Sequence, residues 1–175
     1  LLTLIVFSFS HAKDKIEDYK LIIIGDSLIQ GYGLPKEKGF VNQLQKKLSE
    51  KKINISLINA GVSGDTTAGG LSRVDWSITD DINAVAIALG ANDMLRGISP
   101  KFSKKNLSRI ITKIKEKNLP ILLIGIQSIE NFGTTYKKEF DVMFSDLADE
   151  FELSLYPDLM APILNNENDL SIYLQ

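Results

Sequence analysis

The chain has 175 residues, of which 44% are hydrophobic and 24% are charged, and its net charge is −2. This length is that of one domain with a sizeable core, so we expect no second domain. The small net charge gives no electrostatic basis for binding nucleic acid. The absence of cysteine excludes disulfides, thiolate zinc sites and a cysteine nucleophile.

The first nine residues (LLTLIVFSF) form an apolar run that is too short to cross a bilayer, so we expect no stable membrane insertion. Small residues at Ser10 and Ala12 then precede a potential cleavage site. We therefore predict that residues 1–12 are the remnant of a signal peptide and that residues 13–175 form a periplasmic or secreted domain. The alternative is a buried first strand, which the polar stretch that follows disfavours.

Short apolar runs alternate with amphipathic segments along the rest of the chain. The apolar runs predict strands at residues 21–24, 53–58, 82–89, 121–126 and 153–156. The amphipathic segments predict helices at residues 37–52 and 67–77, from a cap at Ser103 to about residue 118, and at residues 136–151. This alternation predicts an open parallel sheet with helices on both faces and functional groups at the carboxyl ends of the strands.

The first predicted strand ends in the sequence Gly-Asp-Ser-Leu, residues 25–28. Ser27 would stand on a sharp turn from strand to helix, which exposes its hydroxyl to a substrate and makes it the candidate nucleophile. A glycine-rich turn at this place can instead bind phosphate. Its spacing, however, fits neither the dinucleotide-binding pattern nor the P-loop.

Two more glycine-containing loops follow the second and third strands, with the sequences NAGVSGDT (residues 59–66) and LGANDMLRG (residues 89–97). With Gly-Asp-Ser-Leu, the Ser-Gly-Asp-Thr and Gly-x-Asn-Asp motifs stand in the order of the first three sequence blocks of the GDSL, or SGNH, hydrolases. The chain resembles this family from about residue 21 to 156. Within it, the chain is most similar to the bacterial periplasmic thioesterase I, lysophospholipase and arylesterase group, which residues 126–136 (IQSIENFGTTY) also resemble.

This resemblance implies a three-layer α/β/α, flavodoxin-like fold with a five-stranded parallel sheet. It also implies hydrolysis of small carboxylic esters or acyl thioesters through an acyl-enzyme on Ser27, without a metal or organic cofactor. Acyl transfer develops negative charge on the carbonyl oxygen, which several N–H donors must stabilise. By motif position, the backbone N–H groups of Ser27 and Gly64 and the side-chain amide of Asn92 form this oxyanion hole.

Asp26 and Asp93 are expected to support the same loops through hydrogen bonds. The alternative is that Asn92 and Asp93 only cap a turn or helix, and that Gly64 serves only the geometry of its turn.

Apolar residues in the loops after the third and fourth strands are predicted to bind the acyl chain. They are Met94, Leu95, Ile98, Ile129 and Phe132. The alternative is that these side chains simply pack beneath the loops. Acyl length, leaving group and oligomeric state are left open by the sequence.

A serine hydroxyl needs a nearby base, for which histidine is the usual choice, and the only histidine is His11 in the predicted signal peptide. In the resembling family, the base comes from an Asp-x-x-His block that is followed by a last helix. Neither Asp158 nor Asp169 has a histidine three residues later. We expect that the block and the last helix are missing through truncation and that the chain as given is inactive. The alternatives are a natural pseudo-enzyme that binds acyl groups or glycans, and a carbohydrate O-acetyl esterase.

Overall fold

The computed structural model describes residues 19–161, which form a parallel five-stranded sheet. The strands are β1 (Tyr19–Gly25), β2 (Ile55–Gly61), β3 (Ala84–Ala88), β4 (Ile121–Ile124) and β5 (Ser154–Tyr156). Their order across the sheet is β2-β1-β3-β4-β5, and each neighbouring pair is parallel. The predicted α/β fold is confirmed. The predicted signal peptide, which includes His11, lies outside the described residues, as does Asp169.

Helices connect the strands within the described part of the chain. They are α1 (Ser27–Gln30), α2 (Phe40–Glu50), α3 (Thr67–Ser77), α4 (Ala91–Leu95), α5 (Pro100–Glu116) and α6 (Gly133–Phe151), with single 3-10 turns at Lys36–Lys38 and Glu130–Phe132. Because each crossover connects two parallel strands, the loops that leave the carboxyl ends of β1, β2 and β3 meet at one edge of the sheet.

The sheet has an apolar core on each face, because successive side chains of a strand point to opposite sides. Ile22 and Ile24 of β1 lie in the larger core, which packs α3, α5 and α6 against the sheet. Ile23 lies in the smaller core, where Ile29 of α1 and Val41 of α2 cover the other face. Each fully buried side chain of this kind stabilises the fold by about 1.5–3 kcal/mol.

Two predicted helices differ from the observed ones at their N-terminal ends. The helix predicted at residues 37–52 is divided at Gly39, whose φ of −63° and ψ of 148° are extended, into a 3-10 turn and α2. The helix predicted from residue 136 begins earlier, at Gly133. The apolar periodicity marks only the part of each helix that faces the core, so it does not locate the exposed first turn.

The prediction that Ser103 caps the fifth helix is wrong. The helix begins at Pro100, with Ser99 in the capping position, and proline is favoured in a first helical turn because it has no N–H to leave unpaired. Ser103 lies within α5 and is fully buried. Its hydroxyl donates a hydrogen bond to Asp93, which the apolar pattern of the helix does not reveal.

Candidate active site

The three loops that carry the sequence motifs lie side by side at the carboxyl edge of the sheet. Gly25, the last residue of β1, is in register with Gly61 at the end of β2 and with Ala88 at the end of β3. The segments that follow these three residues therefore leave the sheet at the same level. They contain, in turn, Ser27, Gly64 and Asn92.

Ser27 is the first residue of the short helix α1 and is half-buried. Asp26 caps this helix, and its Oδ1 accepts a hydrogen bond of 3.0 Å from the Leu28 N–H. A Cβ at Gly25 would lie 2.2 Å from Cγ1 of Ile29, so only glycine allows α1 to turn back this closely onto the strand. The Ser27 hydroxyl makes no hydrogen bond to another residue in the range 19–161.

The loop after β2 is tied to the Ser27 turn by main-chain and side-chain hydrogen bonds. The Val62 N–H donates to the Gly25 carbonyl at 3.0 Å, and the Ser63 N–H donates to Oε1 of Gln30 at 2.8 Å. Gly64 follows with a φ of +79°, which glycine adopts without the strain that a side chain would cause. The second predicted donor loop is therefore held directly against the first.

The side chain of Asn92 reaches both of these loops. Its Nδ2 donates a hydrogen bond of 2.9 Å to the carbonyl of Asp65 and lies 3.4 Å from Oδ2 of Asp26. Asp65 follows Gly64 and Asp26 precedes Ser27 in the chain. The structure thus brings the three residues of the predicted oxyanion hole together around one amide group, while their catalytic roles stay predictions.

The sequence analysis missed Arg73, which joins the loop after β2 to the end of β1. Its Nε donates a hydrogen bond of 2.6 Å to Oδ2 of Asp65, and its Nη2 donates one of 3.0 Å to the Gly25 carbonyl. The side chain of Arg73 is 7% exposed and that of Asp65 is 15% exposed. Removing one partner of such a buried ion pair costs about 3–5 kcal/mol, because the other charge is left unpaired. A charged residue beside Val74 on the apolar stripe of α3 is the sequence signal that could have revealed it.

Burial raises the pKa of the Asp26 carboxyl above its ordinary value, and the charge of nearby Asp65 raises it further. Hydrogen bonds from the Leu28 N–H and the Asn92 amide act in the opposite direction but do not cancel the effect of burial. The ionised carboxylate beside Ser27 is therefore held at an energetic cost, which is typical of a functional site.

The predicted acyl-binding residues divide into one buried side chain and four that reach the surface or lie near it. Met94 is 5% exposed and packs in the larger core, so it presents no surface to a substrate. Ile98 is half-buried, whereas three residues are exposed: Leu95, Ile129 and Phe132. Met94 therefore belongs to the core and not to the exposed apolar surface.

The loops that carry these residues touch each other. A Cβ at Gly97 would lie 2.7 Å from Cε1 of Phe132, so the ring rests directly on the glycine. The Tyr136 hydroxyl donates a hydrogen bond of 2.9 Å to the Ile98 carbonyl, and the rings of Phe132 and Tyr136 are 5.2 Å apart. A small cleft lies at the ends of β1, β3 and β4, where Leu28, Ala91 and Ile126 are among the residues that line it.

Two negative observations apply to residues 19–161. In this range, no group of three or more His, Cys, Asp or Glu side chains is arranged to hold a metal ion. None of the helices described is both long enough and apolar enough to span a bilayer.

Comparison with known proteins identifies the family. Residues 23–171 match the GDSL-like Lipase/Acylhydrolase family, and the chain belongs to this family. An arylesterase of Vibrio mimicus is 35% identical over 167 residues, which are 94% of this chain and 82% of that protein. Thioesterase 1/protease 1/lysophospholipase L1 of Escherichia coli is 33% identical over 144 residues, which are 82% of this chain and 68% of that protein.

Solved structures agree with this assignment. AlinE4, an SGNH-hydrolase family esterase, superimposes with a TM-score of 0.82 at 37% identity and covers 87% of this chain and 82% of its own. The psychrotrophic esterase EstA from Pseudoalteromonas sp. has a TM-score of 0.82 at 34% identity, with coverage of 90% and 85%. The resemblance inferred from the motifs is confirmed, and the protein is a hydrolase of the esterase and thioesterase type.

Proposed function

We propose that the protein hydrolyses carboxylic esters or acyl thioesters through an acyl-enzyme on Ser27. The observation that carries this proposal is the position of Asn92, whose amide reaches the neighbours of both Ser27 and Gly64. An amide donor, a glycine main chain and a serine hydroxyl at one sheet edge match the requirements of acyl transfer.

In the proposed reaction, Oγ of Ser27 attacks the acyl carbonyl carbon while a base removes the hydroxyl proton. The electron pair of the carbonyl double bond moves to the oxygen, which the N–H groups of Ser27 and Gly64 and the Asn92 amide stabilise. Collapse of this intermediate expels the alcohol or thiol, which takes the proton from the base. Water then attacks the acyl-enzyme in the same way, releases the carboxylic acid and restores the serine.

The reaction needs a histidine base and a carboxylate that orients it. Residues 19–161 include no histidine, so in this proposal the base comes from another part of the complete protein. The functional test therefore uses the protein expressed from its parent reading frame.

We propose that the acyl chain lies along Leu95, Ile98, Ile129 and Phe132. Support comes from their position beside the segment that carries Asn92 and from the exposure of three of them. Apolar walls with a few convergent polar groups are typical of sites for small ligands.

We also propose that the protein is exported and that the mature domain begins after residue 12. The apolar run and the small residues Ser10 and Ala12 support this. Mass spectrometry of the protein recovered from the periplasm or medium of an expressing bacterium tests it. A mature N-terminus at Lys13 is expected, and retention of the first twelve residues would contradict the proposal.

A fluorophosphonate probe and a substrate panel test the enzymatic proposal. We expect the probe to label Ser27, and EstA, which is described as inhibited by monoethylphosphonate, supports this choice of reagent. The complete protein should hydrolyse p-nitrophenyl esters, acyl-CoA or lysophospholipid, and Ser27→Ala should lower kcat by a factor on the order of 10⁶. Binding of acyl ligands without labelling or turnover would instead indicate a pseudo-enzyme. Turnover restricted to acetylated carbohydrate would indicate a carbohydrate O-acetyl esterase.

A further inference from the structure

A cluster of polar side chains is buried beneath the loops that carry Gly64 and Asn92. It consists of Thr67 of α3, Asp93 of α4, and Ser103 and Asn106 of α5, and we call it the Asp93 cluster. Oδ1 of Asp93 accepts hydrogen bonds from the hydroxyls of Thr67 at 2.6 Å and Ser103 at 2.9 Å. Oδ2 accepts one of 2.8 Å from the Thr67 N–H, and the Asn106 amide donates to Oγ1 of Thr67 at 3.1 Å.

The Asp93 cluster connects the two loops that supply the second and third oxyanion donors. Thr67 lies three residues after Gly64, and Asp93 directly follows Asn92. Thr67 donates to both oxygens of the same carboxylate, which restricts rotation as well as distance between the two segments. This pair therefore ties the segment that carries Asn92 to the segment that follows Gly64.

Burying the Asp93 carboxylate costs desolvation free energy, which indicates that the Asp93 cluster does more than fill space. A carboxylate that is 1% exposed has lost its hydration, and the groups that donate to it within residues 19–161 are hydroxyls and a backbone N–H. Apolar side chains of similar volume would often stabilise a helix interface equally well. What the hydrogen bonds add is fixed geometry, which an oxyanion hole requires before charge develops.

We infer that Thr67, Ser103 and Asn106 are positioning residues, which act on the reaction through Asp93 by holding the Asn92 amide against the Gly64 loop. This inference rests on the proposed function, because it presupposes that Asn92 stabilises the oxyanion. Thr67 is the central residue of the cluster, because its hydroxyl donates a hydrogen bond to Asp93 and accepts one from Asn106.

A pair of matched substitutions at Thr67 tests the inference in the complete protein. Thr67→Val keeps the shape of the side chain but removes the hydroxyl, whereas Thr67→Ser keeps the hydroxyl. We expect Thr67→Val to lower kcat for a p-nitrophenyl ester by about 10- to 100-fold with little change in KM, since small displacements of a reacting group cost this much. Thr67→Ser should restore at least half of the wild-type kcat.

The same substitutions in an Asn92→Ala background show whether the effect passes through Asn92. If it does, Thr67→Val should change kcat by less than about twofold once the amide is gone. An equal loss in both backgrounds, an unchanged kcat in Thr67→Val, or a loss that appears only in KM would overturn the inference. If Asn92→Ala itself had wild-type activity, the proposed oxyanion hole would fail, and this inference with it.

Stability is controlled separately. Ile114→Val removes a methylene from the buried stripe at the far end of α5 and does not reach the site, so it should lower the melting temperature without lowering kcat. If Thr67→Val does not fold, Ser103→Ala and Asn106→Leu provide the same test. We expect both substitutions to lower kcat when Asn92 is present and to leave kcat unchanged when they are combined with Asn92→Ala.

Discussion

The segments at residues 25–28, 61–66 and 90–93, which carry Ser27, Gly64 and Asn92, differ in their contacts from the apolar segments at residues 95–98 and 129–132. The former are held by short hydrogen bonds and by a buried ion pair. The latter meet through a ring that rests on a glycine and through a single hydrogen bond from Tyr136. We call the first set the donor loops and the second set the groove loops.

This difference corresponds to two chemical requirements. Stabilising an oxyanion needs donors at fixed positions, and a network of hydrogen bonds supplies that directionality. Holding an acyl chain needs apolar area, which is not directional and which exposed side chains such as Leu95 can provide. Substitutions in the donor loops should therefore change the rate of the chemical step, and substitutions in the groove loops should change the choice of substrate.

The largest effect is expected from the donor loops. Asn92→Ala should lower kcat by about 10²–10³ because one preorganised donor to the oxyanion is removed. The matched control is Asn42→Ala, which removes an exposed side-chain amide that donates a hydrogen bond to the Lys36 carbonyl. Steady-state kinetics with a p-nitrophenyl ester, on samples shown to be folded by circular dichroism, measure both. Wild-type activity in the first variant would refute the role of Asn92.

A smaller effect is expected from the groove loops. Ile129→Ala should shift the preference of kcat/KM toward longer acyl chains by several-fold, because each buried methylene contributes about 0.8 kcal/mol. Ile98→Ala should act in the same direction. Val142→Ala, at an exposed position on α6, is the control. A series of esters from four to twelve carbons measures the preference, and an unchanged profile in both groove variants would eliminate the proposed groove.

The smallest effect concerns stability rather than turnover. The folded pKa of Asp26 is raised, so the native state binds its proton more tightly than the unfolded state and this residue lowers stability as pH rises above about 3.8. Asp26→Asn removes that dependence. The free energy of unfolding of Asp26→Asn relative to wild type should therefore increase between pH 3 and pH 7. Urea denaturation across this range measures it, and a flat or falling difference would show that the carboxylate is not destabilised.

The alternation of apolar runs was enough to predict the parallel sheet and the approximate limits of its elements, because burial on both faces leaves a continuous apolar signature. The predicted helix at residues 67–77 agrees with α3 to the residue. The start of α5 was misplaced, since Ser103 is a good cap by residue type but its hydroxyl faces Asp93 inside the protein. The exposed first turn of a helix carries little apolar pattern. The predicted starts of the helices were therefore less accurate than the predicted core positions.

For the candidate site, the turn after the first apolar strand predicted Ser27, and the resemblance of the next two motifs to the family predicted Gly64 and Asn92. Sequence also determined the family, which the comparisons confirm. What only the tertiary structure decided is which polar residues lie beneath the site, among them Arg73 and Thr67, and that Met94 belongs to the core. These contacts join residues that are distant in the chain, and no local periodicity encodes which side chains of three separate helices meet.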